Sequence, residues 1–197
     1  MNQKVKLVVV LVALIAVVAG AGLVYRFLLG QESIGDSAAT LTNDTAEQPS
    51  QEQQDGQSKR QEAPDITFLD SEGNTVRLSD LRGEPVIINF WASWCPPCKE
   101  EMPTFDQAYQ EYGTQIQFVM LNVTDGQRET ITTATQYVSE GGFTFPIFFD
   151  ANLEGVYAYY INAIPQTIFI DRDGNIATRQ IGMLSEAGLQ SGIALIL

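Results

Sequence analysis

The stretch Val86-Ile87-Ile88-Asn89-Phe90-Trp91-Ala92-Ser93-Trp94-Cys95-Pro96-Pro97-Cys98 decides how this chain is read. Its first six residues are a short, nearly continuous apolar run, the kind that forms a buried central strand. Beyond the cysteines, Met102, Phe105, Tyr109 and Tyr112 recur at intervals of three and four, the spacing of a helix that buries one face. The pair Cys95 and Cys98 therefore stands where a strand ends and a helix begins, the context that gives a C-x-x-C its redox meaning. Residues three apart on a first turn are neighbours, so the sulfurs come within disulfide reach. Pro96 and Pro97 fit there because first-turn N–H groups have no intrahelical acceptor to lose. Cys95, at the exposed cap, is expected to attack a disulfide, and Cys98, one turn in, to resolve the mixed disulfide. An inert structural bridge is the weaker reading, since closing so short a loop removes little unfolded-state entropy.

Outward from this centre the elements alternate. Ile66 to Leu69 and Thr75 to Leu78 flank Ser71-Glu72-Gly73-Asn74 and read as a hairpin. Ile116 to Val123 is a strand, and Ile131, Ala134 and Val138 mark a second helix. Phe145 to Phe149 is a short apolar segment, and Leu153 to Tyr160 a further helix. Gln166 to Asp171 and Ile176 to Ile181 enclose Arg172-Asp173-Gly174-Asn175 as a second hairpin, and Leu184 to Leu197 closes the domain as a helix. Pro103 falls inside the first helix and should kink it. The pattern predicts an α/β domain over 64–197, with a mixed central sheet covered by helices on both faces.

Leu7 to Tyr25 is apolar and uncharged, with Lys4 and Lys6 before it, so 1–29 is expected to be a single transmembrane anchor with its amino end inside. Ala19-Gly20-Ala21 offers a signal-peptidase pattern, but the apolar stretch runs on through Leu23, Val24, Phe27, Leu28 and Leu29, longer than the ~7–15 residues of a signal core. No cysteine lies near its end for lipidation. Residues 30–63 are rich in Gln, Glu, Asp, Ser and Thr and lack aromatics, a composition expected of a disordered tether. As a coil, such a segment spans roughly 30–35 Å.

Composition excludes several alternatives. A net charge of −13 argues against nucleic acid, whose binders gain affinity from clustered Lys and Arg. The chain has no histidine, which removes His-liganded zinc, a Cys-His nucleophile pair and C-x-x-C-H haem attachment. Two cysteines cannot close a four-ligand zinc site without a second chain. No G-x-G-x-x-G follows a strand, so no nicotinamide or flavin site is expected.

Asn74-Thr75-Val76-Arg77-Leu78-Ser79-Asp80-Leu81-Arg82-Gly83, then Pro85 to Cys98, then Glu100-Glu101-Met102-Pro103 closely resemble the TlpA/ResA-like family of membrane-anchored thioredoxin-fold reductases. The likeness runs from about Pro64 to the end. It implies a thioredoxin-like fold with an N-terminal β-hairpin extension and a central insert, preceded by the transmembrane helix. It also implies thiol-disulfide oxidoreductase activity through the Cys95–Cys98 disulfide, with no other cofactor and no metal. Ile164-Pro165-Gln166-Thr167 resembles the family's cis-proline loop, so Pro165 should be cis and face the cysteines, with the Ile164 backbone pairing a substrate strand. Trp94, Pro96 and Pro97 are expected to complete the substrate-binding surface. Related thioredoxins place a buried Asp six residues before the first cysteine; here that residue is Asn89, which cannot shuttle a proton. In the ResA-like branch a Glu three residues past the second cysteine is implicated, and Glu101 matches it, although a Glu beside Lys99 and Glu100 reads more simply as a solvated helix residue.

A thiolate held at low pKa makes its disulfide a stronger oxidant. Here Pro96 and Pro97 remove two N–H groups that could have faced Cys95, and a Glu101 carboxylate would oppose a second negative charge. A reductant of protein disulfides is therefore expected, acting as a monomer on the extracytoplasmic side. The resemblance implies a membrane-embedded thiol carrier as electron donor and an acceptor such as apocytochrome c. The rivals are an oxidase or isomerase of the same fold, a redox-inactive or metal-delivery module, and a peroxiredoxin. The last would want Thr where Ala92 stands.

Overall fold

The computed structural model describes residues 61–197. The expected anchor, and the tether up to residue 60, lie outside the described residues. Among the described residues no helix is long and apolar enough to cross a membrane.

The first hairpin pairs β1 (Thr67–Leu69) with β2 (Thr75–Arg77) antiparallel. Its turn is built by Asp70, whose Oδ1 accepts the N–H groups of Glu72 and Asn74 at 2.9 and 2.8 Å, while Gly73 takes a positive φ of 84°. After a 3-10 turn (Leu78–Leu81) come β3 (Val86–Trp91), α1 (Pro96–Tyr112), β4 (Gln117–Asn122) and α2 (Ile131–Gly141). Then follow β5 (Ile147–Phe149), α3 (Glu154–Ala158), β6 (Gln166–Ile170), β7 (Ile176–Ile181) and α4 (Glu186–Ile196). The β6–β7 turn repeats the device of the first hairpin: Asp171 Oδ1 accepts from Asp173 and Asn175, and Gly174 is left-handed.

The strands form one mixed sheet in the order β2-β1-β5-β4-β3-β6-β7. β3 is central, parallel to β4 and antiparallel to β6, with Asn89 opposite Met120 on one side and Thr167 on the other. All six β3 residues are buried, as the nearly continuous apolar run predicts, with Asn89 the one polar residue among them. The sheet's two faces belong to different clusters. Ile87, Trp91, Phe118, Met120, Phe149 and Phe169 pack with α1, α2 and α4. Ile88, Phe90, Val119, Leu121 and Ile168 face Ile66, Leu78 and Tyr159.

Cover on the two faces is thus unequal. Among the described residues the second face has only the 3-10 turn and the five-residue α3, shorter than the helix expected over Leu153 to Tyr160, because Leu153 and Tyr160 are both left-handed (φ 56° and 54°) and end it. Fully buried Tyr159 fills the gap, its hydroxyl donating to the Pro64 carbonyl at 2.9 Å. In α2, Ala134 and Val138 are buried as expected, but Ile131 is 42% exposed at the first helical position.

The tether assignment needs correction at its end. Gln61, Glu62 and Ala63 belong to the folded unit: the Ile176 N–H donates to the Gln61 carbonyl, Glu62 bridges Asn175, and the Ala63 N–H donates to the Gly174 carbonyl. Composition misled there because backbone pairing with an edge strand asks little of the side chains.

Candidate active site

Cys95 occupies the N-cap of α1 in extended conformation, and Pro96 and Pro97 form the first helical positions. Cys95 and Cys98 are joined as a disulfide with Cα atoms 5.3 Å apart. The Cys98 N–H, the first amide after the two prolines, donates to Cys95 Sγ at 3.3 Å. The prolines therefore remove two donors but leave one aimed at the attacking sulfur. On its other side Cys95 Sγ lies 3.7 Å from the Ile164 carbonyl oxygen, an acceptor for the thiol when the pair is reduced. The expectation of an exposed cap needs qualification: Cys95 is 3% exposed and Cys98 fully buried, while Pro96 and Pro97 stand in solvent. Trp94 and Ile164 are half-buried against the same cluster as the cysteines.

The Ile164–Pro165 peptide is cis, and the Pro165 carbonyl accepts the Gly182 N–H at 2.9 Å, which ties the loop to the end of β7. Ile164, Pro165, Cys95 and Cys98 thus share one site, with the Ile164 carbonyl as its link.

Glu101 is where the structure departs most from its simplest reading as a solvated residue. It is 1% exposed, one turn beyond Cys98 on the inner face of α1. Its Oε1 accepts from Asn89 Nδ2 at 2.8 Å and its Oε2 from the Leu184 N–H at 2.8 Å. Burial pushes its carboxyl up to about 7, against the pull of the Leu184 and Asn89 hydrogen bonds. Asn89 also donates to Thr167 Oγ1 at 3.1 Å, so the residue that cannot shuttle a proton orients one that can. Helical periodicity carried the signal: Cys98, Glu101 and Phe105 are spaced three and four apart on the buried face. Helix propensity and charge outweighed it.

Sequence reading missed a second group of buried and half-buried polar residues around the cysteines. Ser93, Asn122, Thr124 and Glu129 form a connected network beside β3 and β4, with Arg128 stacked on Trp94. No spacing rule announces it, because the contacts join a strand end to a loop 36 residues away.

Comparison with known proteins agrees with this geometry. Residues 60–179 match the model of the AhpC/TSA family. The thiol-disulfide oxidoreductase ResA of Halalkalibacterium halodurans is 32% identical over 137 residues, 69% of this chain and 76% of that protein. ResA of Bacillus subtilis is 29% identical over 140 residues, 71% and 76% of the two chains. Among solved structures, StoA from Bacillus subtilis superposes with a TM-score of 0.58 at 26% identity, over 66% of this chain and 97% of that one. A Chlorobium tepidum protein described as a thiol:disulfide interchange protein DsbE gives 0.63 at 27% identity, over 71% and 99%.

Proposed function

Because this chain belongs to the AhpC/TSA family and, with its ResA relatives and thioredoxin-like fold, is a thiol-disulfide oxidoreductase working through a redox-active disulfide, we propose that it is a reductant of extracytoplasmic protein disulfides. The observation that carries the direction is the carboxyl of Glu101, buried beneath the pair and held by Asn89 and Leu184.

In the reduced enzyme, the Cys95 thiolate attacks one sulfur of a substrate disulfide. A Cys95–substrate disulfide forms, and the substrate's other sulfur leaves as a thiolate that takes up a proton. Cys98 then loses its proton, and its thiolate attacks Cys95 Sγ; the enzyme disulfide forms and the second substrate thiol is released. Two electrons pass to the substrate, and the enzyme pair is oxidised. Glu101, with a pKa of about 7, is suited to take the Cys98 proton in this second step. Once charged, it opposes a thiolate beside it and so disfavours the dithiol, which makes the pair more reducing. Trp94, Pro96, Pro97 and the Ile164 backbone form the surface that meets the substrate, and cis-Pro165 offers neither an N–H nor a side-chain ligand there.

Fresh electrons reach the pair by exchange with a membrane-embedded thiol carrier, and the acceptor is an oxidised protein such as an apocytochrome c. The run Leu7 to Tyr25 serves as the anchor that places the domain outside. Equilibration with dithiothreitol should return a potential at or below about −270 mV, as for thioredoxin, whereas about −120 mV would make the protein an oxidant and end this reading. A Cys98→Ser variant should accumulate the mixed disulfide on Cys95 in cells, and the trapped protein identifies the acceptor. Protease added to intact cells should remove the domain and leave the anchor.

A further inference from the structure

Ser93 and Trp94, the two residues that lead into Cys95, are both held by the loop between β4 and α2. Glu129 is fully buried. Its Oε1 accepts from the Ser93 N–H at 2.9 Å and from Asn122 Nδ2 at 2.8 Å, and its Oε2 accepts from Ser93 Oγ at 2.7 Å. Next to it, the Arg128 guanidinium lies 3.5 Å from the centre of the Trp94 ring.

The loop that presents these two side chains is itself well constructed. Asp125 Oδ1 accepts the backbone N–H groups of Gln127, Arg128 and Glu129 at 2.8, 2.8 and 2.9 Å, and the Gly126 N–H donates to the Glu129 carbonyl. Thr130 then caps α2 in a reciprocal box with Thr133. Asn122 is fixed in turn by Thr124, whose hydroxyl donates to its Oδ1 at 2.8 Å.

A buried carboxylate is an expensive way to cover a strand end, where an apolar side chain would exclude water at lower cost. What it supplies instead is direction: two oxygens that take both donors of one residue fix that residue's backbone and rotamer together. Arg128 adds a planar lid that stops the Trp94 ring from turning. The Ala92 carbonyl accepts the Cys95 N–H at 3.2 Å, so displacement of Ser93 and Trp94 carries Cys95 with it.

We propose that Glu129 and Arg128 are positioning residues, a two-point clamp that keeps Cys95 Sγ between the Cys98 N–H and the Ile164 carbonyl so that a substrate disulfide meets a sulfur already aligned. The clamp rests on the reading of Cys95 as the attacking thiol.

The test uses the full-length protein, reduced and freed of reductant, mixed with insulin in a stopped-flow instrument. Glu129→Gln places an N–H₂ against a donor and should slow the second-order reaction about tenfold, or about 1.4 kcal/mol. Ser93→Ala should slow it a few-fold, and the double variant should react no more slowly than Glu129→Gln alone. Thermal melts establish that each variant is folded at the assay temperature; should Glu129→Gln not fold, Ser93→Ala and Arg128→Ala carry the comparison. Arg128→Ala should slow the reaction and red-shift tryptophan emission. The chain's only other tryptophan, Trp91, is fully buried, so the shift reports Trp94. Folded variants that reduce insulin within twofold of wild type, or single effects that multiply in the double variant, overturn the clamp. A Cys95→Ser variant run alongside separates the two readings, since any insulin reduction it retains counts against Cys95 as nucleophile and not against the clamp's geometry.

Discussion

The two ends of β3 are held by different chemistry. At the Val86 end the polar contacts lie in water: Arg77 pairs with Asp65 at 3.2 Å, the two side chains 58% and 35% exposed, Arg82 pairs with Glu62, and Gln117 donates to Glu84. Toward the Trp91 end they are buried: Asn89, Glu101, Asn122, Glu129 and Thr167 all sit out of solvent. Exposed pairs are worth little because water competes for both partners. Buried polar groups lose their hydration in full and repay it only where every bond is made. Among the described residues Asn89 Oδ1 and Trp94 Nε1 are buried without a partner. Stability alone would favour apolar side chains in their place, so the burial of polar groups at this end belongs to the chemistry of the cysteines.

The largest expected effect of that difference is a pH slope located in Glu101. Its carboxyl has an ordinary value of 4.5, and burial raises it to about 7 in the folded protein. Below pH 4.5 both states are protonated and the folded state bears no penalty. As pH rises from there, the unfolded chain releases a proton that the folded protein retains, so stability falls until about pH 7 and then levels. The loss is on the order of 3 kcal/mol at one pKa unit per 1.36 kcal/mol. Urea midpoints measured from pH 4.5 to 8 should show the fall in wild type and its disappearance in Glu101→Gln. Parallel curves would remove the burial argument, and with it the raised pKa on which the proton-transfer role depends.

Much of this arrangement could be read in the chain, and what could not has a physical reason. The nearly continuous apolar run Val86 to Trp91 places β3, because a strand buried on both faces is apolar at all but the one position, Asn89, that the site uses. Gly73-Asn74, and again Gly174-Asn175, announce the two hairpins because those residue types suit a turn, while Asp70 and Asp171, whose Oδ1 atoms hold the turns, lie just before the turn stretches and show their part only in the structure. The cysteines and the proline loop were visible by motif. The burial of Glu101 was visible only as periodicity in conflict with charge. Glu129 was invisible: its partner Ser93 is brought to it by the parallel pairing of β3 with β4, and such pairings leave no local trace.

Asn89 sharpens the comparison on a smaller scale. Replacing it with Leu removes the donor to Glu101 Oε1 and to Thr167 Oγ1 and, with them, the unpartnered Oδ1. The two changes offset in stability, but they do not offset in the titration of Glu101, which loses one of the two bonds that hold it down. Carboxyl-carbon NMR should place that titration about one unit higher, roughly 1.4 kcal/mol. An unmoved Glu101 would mean that Leu184 alone sets its charge.

The far end of β3 supplies the control, and the smallest effect. Burial raises the Asp65 carboxyl, but the Ser79 N–H and Arg77 outweigh it and bring the group below its ordinary value of 3.8. Its sign is therefore opposite to that of Glu101: the stability it contributes is present above pH 3.8 and disappears as the pH falls through the lowered value. Arg77→Ala should cost no more than about 1 kcal/mol, as exposed pairs do. It should leave the slope between pH 5.5 and 7 unchanged, because Asp65 ionises below that window, around its ordinary 3.8 in the unfolded chain and lower still in the fold. An Arg77→Ala protein that lost several times that amount, or whose slope changed in the Glu101 window, would couple the two ends of the strand and erase the distinction between them.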